Sequence, residues 1–192
     1  MITKREIQLF KSLKNKRDRD EQGLFPAETP KLVSDFLRAG AKAHSLFVIK
    51  DEISKWRNDF TKYSFTEITN SELNRLSHLK QAHEVAGLFY KFELPAFKQD
   101  NLTLILDRIA DPGNMGTMIR TADWFGVKNI ICSEDSVNIY NPKVVQSTMG
   151  SLARINVYYK NADEIGQMLH PDSRIFGADM NGTDLKEITT GP

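Results

Sequence analysis

Leu106-Asp-Arg-Ile-Ala-Asp-Pro-Gly-Asn-Met-Gly-Thr-Met-Ile-Arg-Thr-Ala122 passes from an apolar run, through a turn-forming cluster, into a helix-compatible stretch. Asp111, Pro112 and Gly113 read as a turn, for which Pro and Gly supply the torsions. Asn114 is placed to cap the helix that follows, and Gly116 near its start lets another backbone come close. Arg120 stands six residues beyond Asn114, about 600° of rotation and so about 120° short of two full turns; only its long side chain reaches back toward the ligand side. A plain capped helix with a surface Arg and a ligand-binding junction both fit this segment taken alone.

The rhythm continues on either side. Strands are expected at Leu102 to Leu106, Asn129 to Cys132, Ile155 to Tyr159 and Arg174 to Ala178, with helices at about Met115 to Phe125, Pro142 to Leu152 and Ala162 to Leu169. These are the element types and connection lengths of βαβ units. Apolar strand centres predict a parallel sheet covered on both faces, with ligands beyond the carboxyl ends of its strands, at 107–114, 133–141 and 178–184. A second junction, Asn141-Pro-Lys-Val-Val-Gln-Ser-Thr-Met-Gly-Ser-Leu-Ala-Arg154, opens with Pro at an allowed first-turn position and carries Ser147, Thr148, Gly150 and Ser151 through the expected helix. Gly costs a helix roughly 1 kcal/mol relative to Ala, so close packing against another backbone explains the small residues. Tight helix-to-sheet packing within the chain and a crowded cofactor or dimer surface are both open.

Residues 1–93 read as a small mixed α/β domain. An amphipathic helix is expected over 3–16, with Ile2, Ile7, Phe10 and Leu13 inward and a basic outer face, broken at Asp20 to Gly23. Lys31 to Ala39 gives a second helix that stops at Gly40, Thr69-Asn-Ser-Glu72 caps a third running through Leu76, and Ser45 to Ile49 and Ala86 to Tyr90 are strands. Glu93 to Asp100 has no period and contains Pro95, which places a linker at 94–100 before a second domain over 101–192. After the strand at 174–178, Leu185 to Pro192 offers nothing to close the sheet's open edge, so either a partner covers it or the polypeptide is a fragment.

Across 192 residues, 26 Lys and Arg face 25 Asp and Glu, a near balance that hides an asymmetry. Residues 1–20 hold seven bases (Lys4, Arg5, Lys11, Lys14, Lys16, Arg17, Arg19) against three acids, a local +4; the remaining 172 residues carry 19 against 22. Such a segment attracts a polyanion such as RNA, or is a solvated helix face. No stretch approaches the roughly 18 uninterrupted apolar residues of a spanning helix. The single thiol, Cys132, forms no internal disulfide and suits a reducing cytoplasm.

Several chemistries fall away on spacing. His78 and His83, five residues apart, lie about 140° apart on a helix and share no face for a metal. His44 and His170 stand alone, so no metal site is expected. The Gly-x-Ser-x-Gly elbow and both glycine-rich phosphate-binding loops are missing, which weakens an unrelated nucleotide-binding α/β protein as a reading.

At its two junctions the sequence resembles the SpoU/TrmH-like RNA ribose 2′-O-methyltransferases of the SPOUT superfamily. The run 111–122 is similar to that family's first motif, and Tyr140-Asn-Pro-Lys-Val-Val-Gln-Ser-Thr-Met-Gly-Ser-Leu152 follows where expected. Lys16-Arg-Asp-Arg-Asp-Glu-Gln-Gly-Leu-Phe25, Glu28 and Leu32-Val33 are similar to the small substrate-binding domain that precedes the catalytic domain in many relatives. The resemblance implies a small RNA-binding domain followed by an incomplete parallel-sheet SPOUT domain with an α/β knot, a homodimer, S-adenosylmethionine as methyl donor, and ribosomal or transfer RNA as substrate. It implies that Arg120 engages the ribose 2′-hydroxyl, that Asn114 supports the same site, that Glu28 belongs to the RNA-binding surface, and that Ala178, Asp179 and Met180 touch the cofactor.

Arg120 is more readily an orienter than a base, since a guanidinium normally stays protonated. Two departures stand out. Thr29 replaces the usual Gly after Glu28, and Pro26 interrupts the expected strand. The family's two C-terminal motifs, which form most of the cofactor pocket and the knot, do not appear before Pro192. This chain is therefore expected neither to hold the cofactor tightly nor to methylate RNA alone. The alternative from another class is a noncatalytic RNA-binding protein with a degenerate methyltransferase fold.

Overall fold

Two capping boxes start the helices that frame the first sheet. Thr3 and Glu6 open α1 (Lys4–Ser12), and Thr69 and Glu72 open α5 (Asn70–Leu76), each Thr side chain accepting the third-residue N–H while the Glu accepts the cap's own. Between them lie α2 (Lys16–Gln22), β1 (Leu24–Glu28), α3 (Pro30–Arg38), β2 (Ala43–Ile49), α4 (Ile53–Asp59) and β3 (Thr66–Ile68); β4 (Val85–Tyr90) follows α5. This computed structural model describes residues 2–99, 102–184 and 187.

The first sheet has the order β1-β4-β2-β3, with β2 and β3 parallel and the other pairs antiparallel. Pro26 does not interrupt β1, contrary to expectation. It sits opposite Leu88 in an edge strand, where a missing N–H is tolerated on the open side. The helix expected over 3–16 is two helices, and Asp20 to Gln22 continue the second rather than breaking it; the stop is Gly23 alone, left-handed at φ 63°.

The second half supplies β5 (Thr103–Leu106), α6 (Pro112–Trp124), β6 (Asn129–Ser133), α7 (Pro142–Ser147), β7 (Asn156–Lys160) and α8 (Ala162–Met168). Its sheet is parallel in the order β5-β6-β7, as the apolar runs predict. Ile130 and Ile131 on central β6 are fully buried, one toward each face, whereas on edge strand β5 Ile105 stays exposed.

Two expectations fail here. Arg174 to Ala178 form no strand: Ile175 and Phe176 are exposed and the segment pairs with no sheet edge, so it has neither the ladder nor the covered face that holds a strand. The helix expected through Leu152 ends at Ser147, because Met149 and Gly150 take left-handed φ values of 51° and 93°; Ser151–Ala153 then make a 3₁₀ turn. The expectation for the stretch after Asp184 lies, Glu187 apart, outside the described residues.

One core joins the two sheets. Phe25, Phe36 and Phe89 from the first half and Met115, Ile119, Val144 and Val145 from the second belong to a single buried cluster. Phe25 and Tyr140 meet at a ring separation of 4.9 Å, and the Phe92 N–H donates to the Tyr140 hydroxyl at 2.9 Å. The opposite face of the first sheet is covered by α1 and α5 through Phe10, Leu13, Leu73 and Leu76.

Candidate active site and nucleic-acid interface

Both strand-to-helix corners of the parallel sheet are built alike. After β5, the Arg108 and Ile109 N–H groups donate to Ser133 Oγ (2.7 Å) and Ser136 Oγ (3.1 Å), tying the first corner to the end of β6. Asp111, not Asn114, caps α6: its Oδ1 accepts the Asn114 N–H at 2.7 Å, which moves Asn114 into the first helical turn and makes Pro112 and Gly113 helical rather than a free turn. The second corner repeats the device, with Asn141 Oδ1 accepting the Lys143 N–H at 2.9 Å and Pro142 following the cap. A carboxylate or amide that can bond two or three residues ahead, followed by a proline with no N–H to satisfy, is a strong local helix start.

The two corners converge. Asp111, Pro112 and Gly113 face Asn141, Pro142 and Lys143 across a cleft of about 710 Å³ whose other wall comes from the first half, through Lys14, Glu28 and His78. Gly116 and Ser147 pack in direct contact beneath it: a Cβ at 116 would lie 2.9 Å from the Ser147 carbonyl carbon. The small residues of the second motif thus serve close helix-to-helix packing. Gly150, farther along, leaves room for Asp35 of α3.

Arg120 is exposed and lines a second cleft, of about 620 Å³, with Lys31, Thr117, Trp124, Phe125 and Arg154 among its walls. Trp124 and Phe125 are 86% and 75% exposed, so this cleft pairs aromatic surface with cationic groups. Arg154 is held by a two-pronged ion pair to Asp123, Nε at 3.0 Å and Nη2 at 2.6 Å from Oδ2. Burial alone would raise the Asp123 carboxyl, but the hydrogen bonds from Arg154 and Ser151 outweigh it and hold it below its ordinary value. Asn114 is exposed but forms part of neither cleft wall, so the structure sets Asn114 and Arg120 on one helix without bringing them into one pocket.

The expected RNA-binding residues divide. Lys4 and Arg5 are exposed on α1; Lys16 and Arg17 are exposed in ion pairs with Asp20 and Glu21; Lys11 Nζ donates to the Ser77 carbonyl at 2.6 Å; Lys14 stands at the cleft. Arg19 corrects the expectation. It is 2% exposed, and its Nη1 donates to the Leu13 and Lys14 carbonyls, closing the end of α1 and leaving no surface for phosphate. Glu28 is also buried, at 7% exposure, but it lies in the wall of the first cleft. Its Oε1 accepts the His78 N–H at 2.9 Å, and its Oε2 accepts the Ser77 hydroxyl. Burial would raise the Glu28 carboxyl, yet the hydrogen bonds from His78 and Ser77 together hold it below its ordinary value.

His78 is the residue that sequence reasoning set aside. It follows α5 in a loop, as does His83, so the helical angle between them is not the relevant geometry. Among the described residues no group of three or more His, Cys, Asp or Glu could hold a metal, and no helix is long and apolar enough to cross a membrane. Ala178, Asp179 and Met180 are exposed in an irregular segment and line neither cleft, Met180 being fully exposed.

Comparison with known proteins decides the family. Residues 101–191 match the SpoU rRNA Methylase family, and residues 4–87 match the MRM3-like substrate binding domain. Residues 101–191 belong to the SpoU methylase family. Over 181 residues it is 26% identical to mouse rRNA methyltransferase 3, mitochondrial, covering 88% of this chain and 43% of that protein. It is 24% identical over 185 residues to the 23S rRNA (guanosine(2553)-2'-O)-methyltransferase RlmP of Bacillus subtilis, covering 95% and 74%. An AdoMet-bound rRNA methyltransferase from Sinorhizobium meliloti superposes with a TM-score of 0.75 at 28% identity, covering 88% of this chain and 66% of that one. The chain therefore spans less than half the length of its mouse relative, and its mixed α/β architecture with a parallel sheet is that of the SPOUT methyltransferases.

Proposed function

We propose that the chain is the RNA-binding and ribose-presenting part of an rRNA 2′-O-methyltransferase that uses S-adenosylmethionine. The observation that carries this reading is the convergence of the corners at 111–113 and 141–143 on a cleft shared with the small sheet, with Arg120 solvent-accessible on the same helix as the first corner. The relatives named for rRNA methylation, and the AdoMet-bound one among them, support the substrate and donor class.

Arg120 contributes a planar, permanently cationic fork suited to orienting a ribose hydroxyl or a neighbouring phosphate. Asn114 offers an exposed amide about one and two-thirds turns earlier on α6. When bound, S-adenosylmethionine supplies an electrophilic methyl group. The described residues do not enclose it, since 178–180 are exposed and line neither cleft. Tight binding of S-adenosylmethionine to this chain in calorimetry would overturn its assignment as a donor-poor partner of the reaction.

The division into an RNA-binding domain over 1–93, a linker at 94–100 and a methyltransferase domain from 101, and assembly as a homodimer through the latter, belong to the same proposal. So does a reducing compartment such as the cytoplasm, which suits the lone buried thiol of Cys132, pushed up to about 12 by burial. Mapping ribose methylation of ribosomal and transfer RNA in cells with and without the gene tests the reading. Loss of one rRNA 2′-O-methyl mark supports it, loss of a tRNA mark moves the substrate, and no change favours a noncatalytic RNA-binding role.

A further inference from the structure

We infer that the 710 Å³ cleft between the two sheets receives a single unstacked nucleotide of the RNA, its phosphate between Lys14 and Lys143 and its base against the wall that carries His78. This rests on the RNA reading above. The volume falls within the roughly 300–1,000 Å³ of small-ligand pockets, which suits one nucleotide and is too small for a duplex.

The polar wall is preorganised. Glu28 reaches across 50 residues of sequence to bond the His78 N–H, and the Ser77 hydroxyl that donates to Glu28 also accepts the Leu79 N–H at 2.9 Å. The loop 77–79 is thereby pinned, and the His78 ring is backed by Phe10 at a ring separation of 5.2 Å. The ring faces the Glu28 carboxylate through Nδ1 at 3.4 Å and the Lys11 carbonyl through Nε2 at 3.5 Å. A buried, ionised carboxylate is a poor device for stability alone, since apolar replacement of such groups is often neutral or better. Its cost is explained if it fixes a recognition surface.

Two lysines, Lys14 and Lys143, balance two carboxylates, Glu28 and Asp111, at the cleft, but the carboxylates are taken up by N–H and hydroxyl donors while the lysines are not paired among the described residues. Lys14 and Lys143 come from opposite halves, both exposed, and neither forms an ion pair among the described residues. The Asp111 carboxylate in the opposite wall is engaged in capping α6. Pro26, Leu32, Leu79 and Pro142 add the apolar surface a base requires.

The test is titration of the 192-residue chain with AMP, CMP, GMP and UMP and with the matching nucleosides, affinities read by calorimetry and the site located from backbone-amide NMR signals and, where His78 is present, its ring protons. Nucleotides should bind at least about tenfold tighter than nucleosides, the size of one charge-assisted hydrogen bond. The double variant Lys14→Ala and Lys143→Ala should erase that difference without moving the thermal midpoint, and His78→Ala should weaken both ligand classes. Equal binding of nucleotides and nucleosides, signals that shift only outside the cleft, or displacement of the nucleotide by S-adenosylmethionine would overturn the inference. A parallel titration with a ribosomal RNA fragment separates the two levels: equal RNA binding by the wild type and the double variant sinks the cleft alone, whereas no RNA binding by either sinks the RNA reading with it.

Discussion

Gly116 on α6 packs directly on Ser147 of α7, so that the two motif helices touch through a glycine and a serine rather than through large side chains. The contact sets the spacing of the two corners, because each helix begins at its own cap, Asp111 or Asn141, only a few residues upstream. A methyl group at 116 would meet the Ser147 side chain and backbone together. Gly116→Ala should therefore cost roughly 1–3 kcal/mol by overpacking, in spite of alanine's better helix propensity. Urea denaturation checks this; a variant as stable as the wild type would show that the helices separate freely.

Thr29 gives the opposite sign. It follows Glu28 with φ 85°, a left-handed backbone that a β-branched residue adopts only under strain. The strain costs roughly 1–3 kcal/mol, against about 1 kcal/mol of extra unfolded-state freedom for glycine. Thr29→Gly should stabilise the chain by about 1 kcal/mol, read as a higher urea midpoint.

These two positions also show what was legible. A close approach at Gly116 and a capping box at Thr69 are local signals, carried by residues within a turn of one another, and the structure has both. The strand through Pro26 was not legible, because a proline reads as a breaker until the strand is known to lie at an edge. Likewise the helix from Pro142 stops on the left-handed Met149, a residue type that gives no warning of it. The site divided in the same way. The corners at 111 and 141 stand out as loop-to-helix junctions, with the cap at the first misplaced by three residues onto Asn114, but the Glu28–His78 contact joins residues 50 apart and depends on how α5 docks on the first sheet. Arg19 misled because a charge count cannot tell a surface guanidinium from one that closes a helix end.

Glu28 should give the chain an acid-sensitive limb. Its carboxyl is held below its ordinary value in the folded state, so its contribution is complete above the unfolded value, about pH 4.3, and is lost as pH falls through that value and then the lower folded one. Glu28→Gln keeps the shape and removes the charge. It should lose roughly 1–3 kcal/mol at neutral pH and flatten the decline of stability below about pH 5, as measured by urea midpoints across pH. An unchanged acid limb would shift the effect to other carboxylates, Asp123 first.

Arg120 is exposed, so its replacement should leave stability within about 0.5 kcal/mol of the wild type. Arg120→Lys keeps the charge and removes the fork. If the guanidinium orients the ribose, the wild type should prefer an RNA strand over the DNA strand of the same sequence, and the variant should lose most of that preference while retaining its affinity for DNA. An unchanged RNA-to-DNA ratio would mean that only the charge matters.

The basic N-terminal helices call for substitution rather than deletion. Removing residues 1–20 would strip Phe10 and Leu13, both fully buried, from the core beneath the first sheet, and any loss of binding would then report unfolding. Lys4 and Arg5 are exposed and form no ion pair among the described residues, which makes Lys4→Ala with Arg5→Ala the cleaner probe. If both contact phosphate, the slope of log affinity for single-stranded RNA against log salt should become shallower by about 1.4, at about 0.7 per neutralised phosphate. An unchanged slope would mark this end of α1 as a solvated face and leave RNA attraction to the clefts.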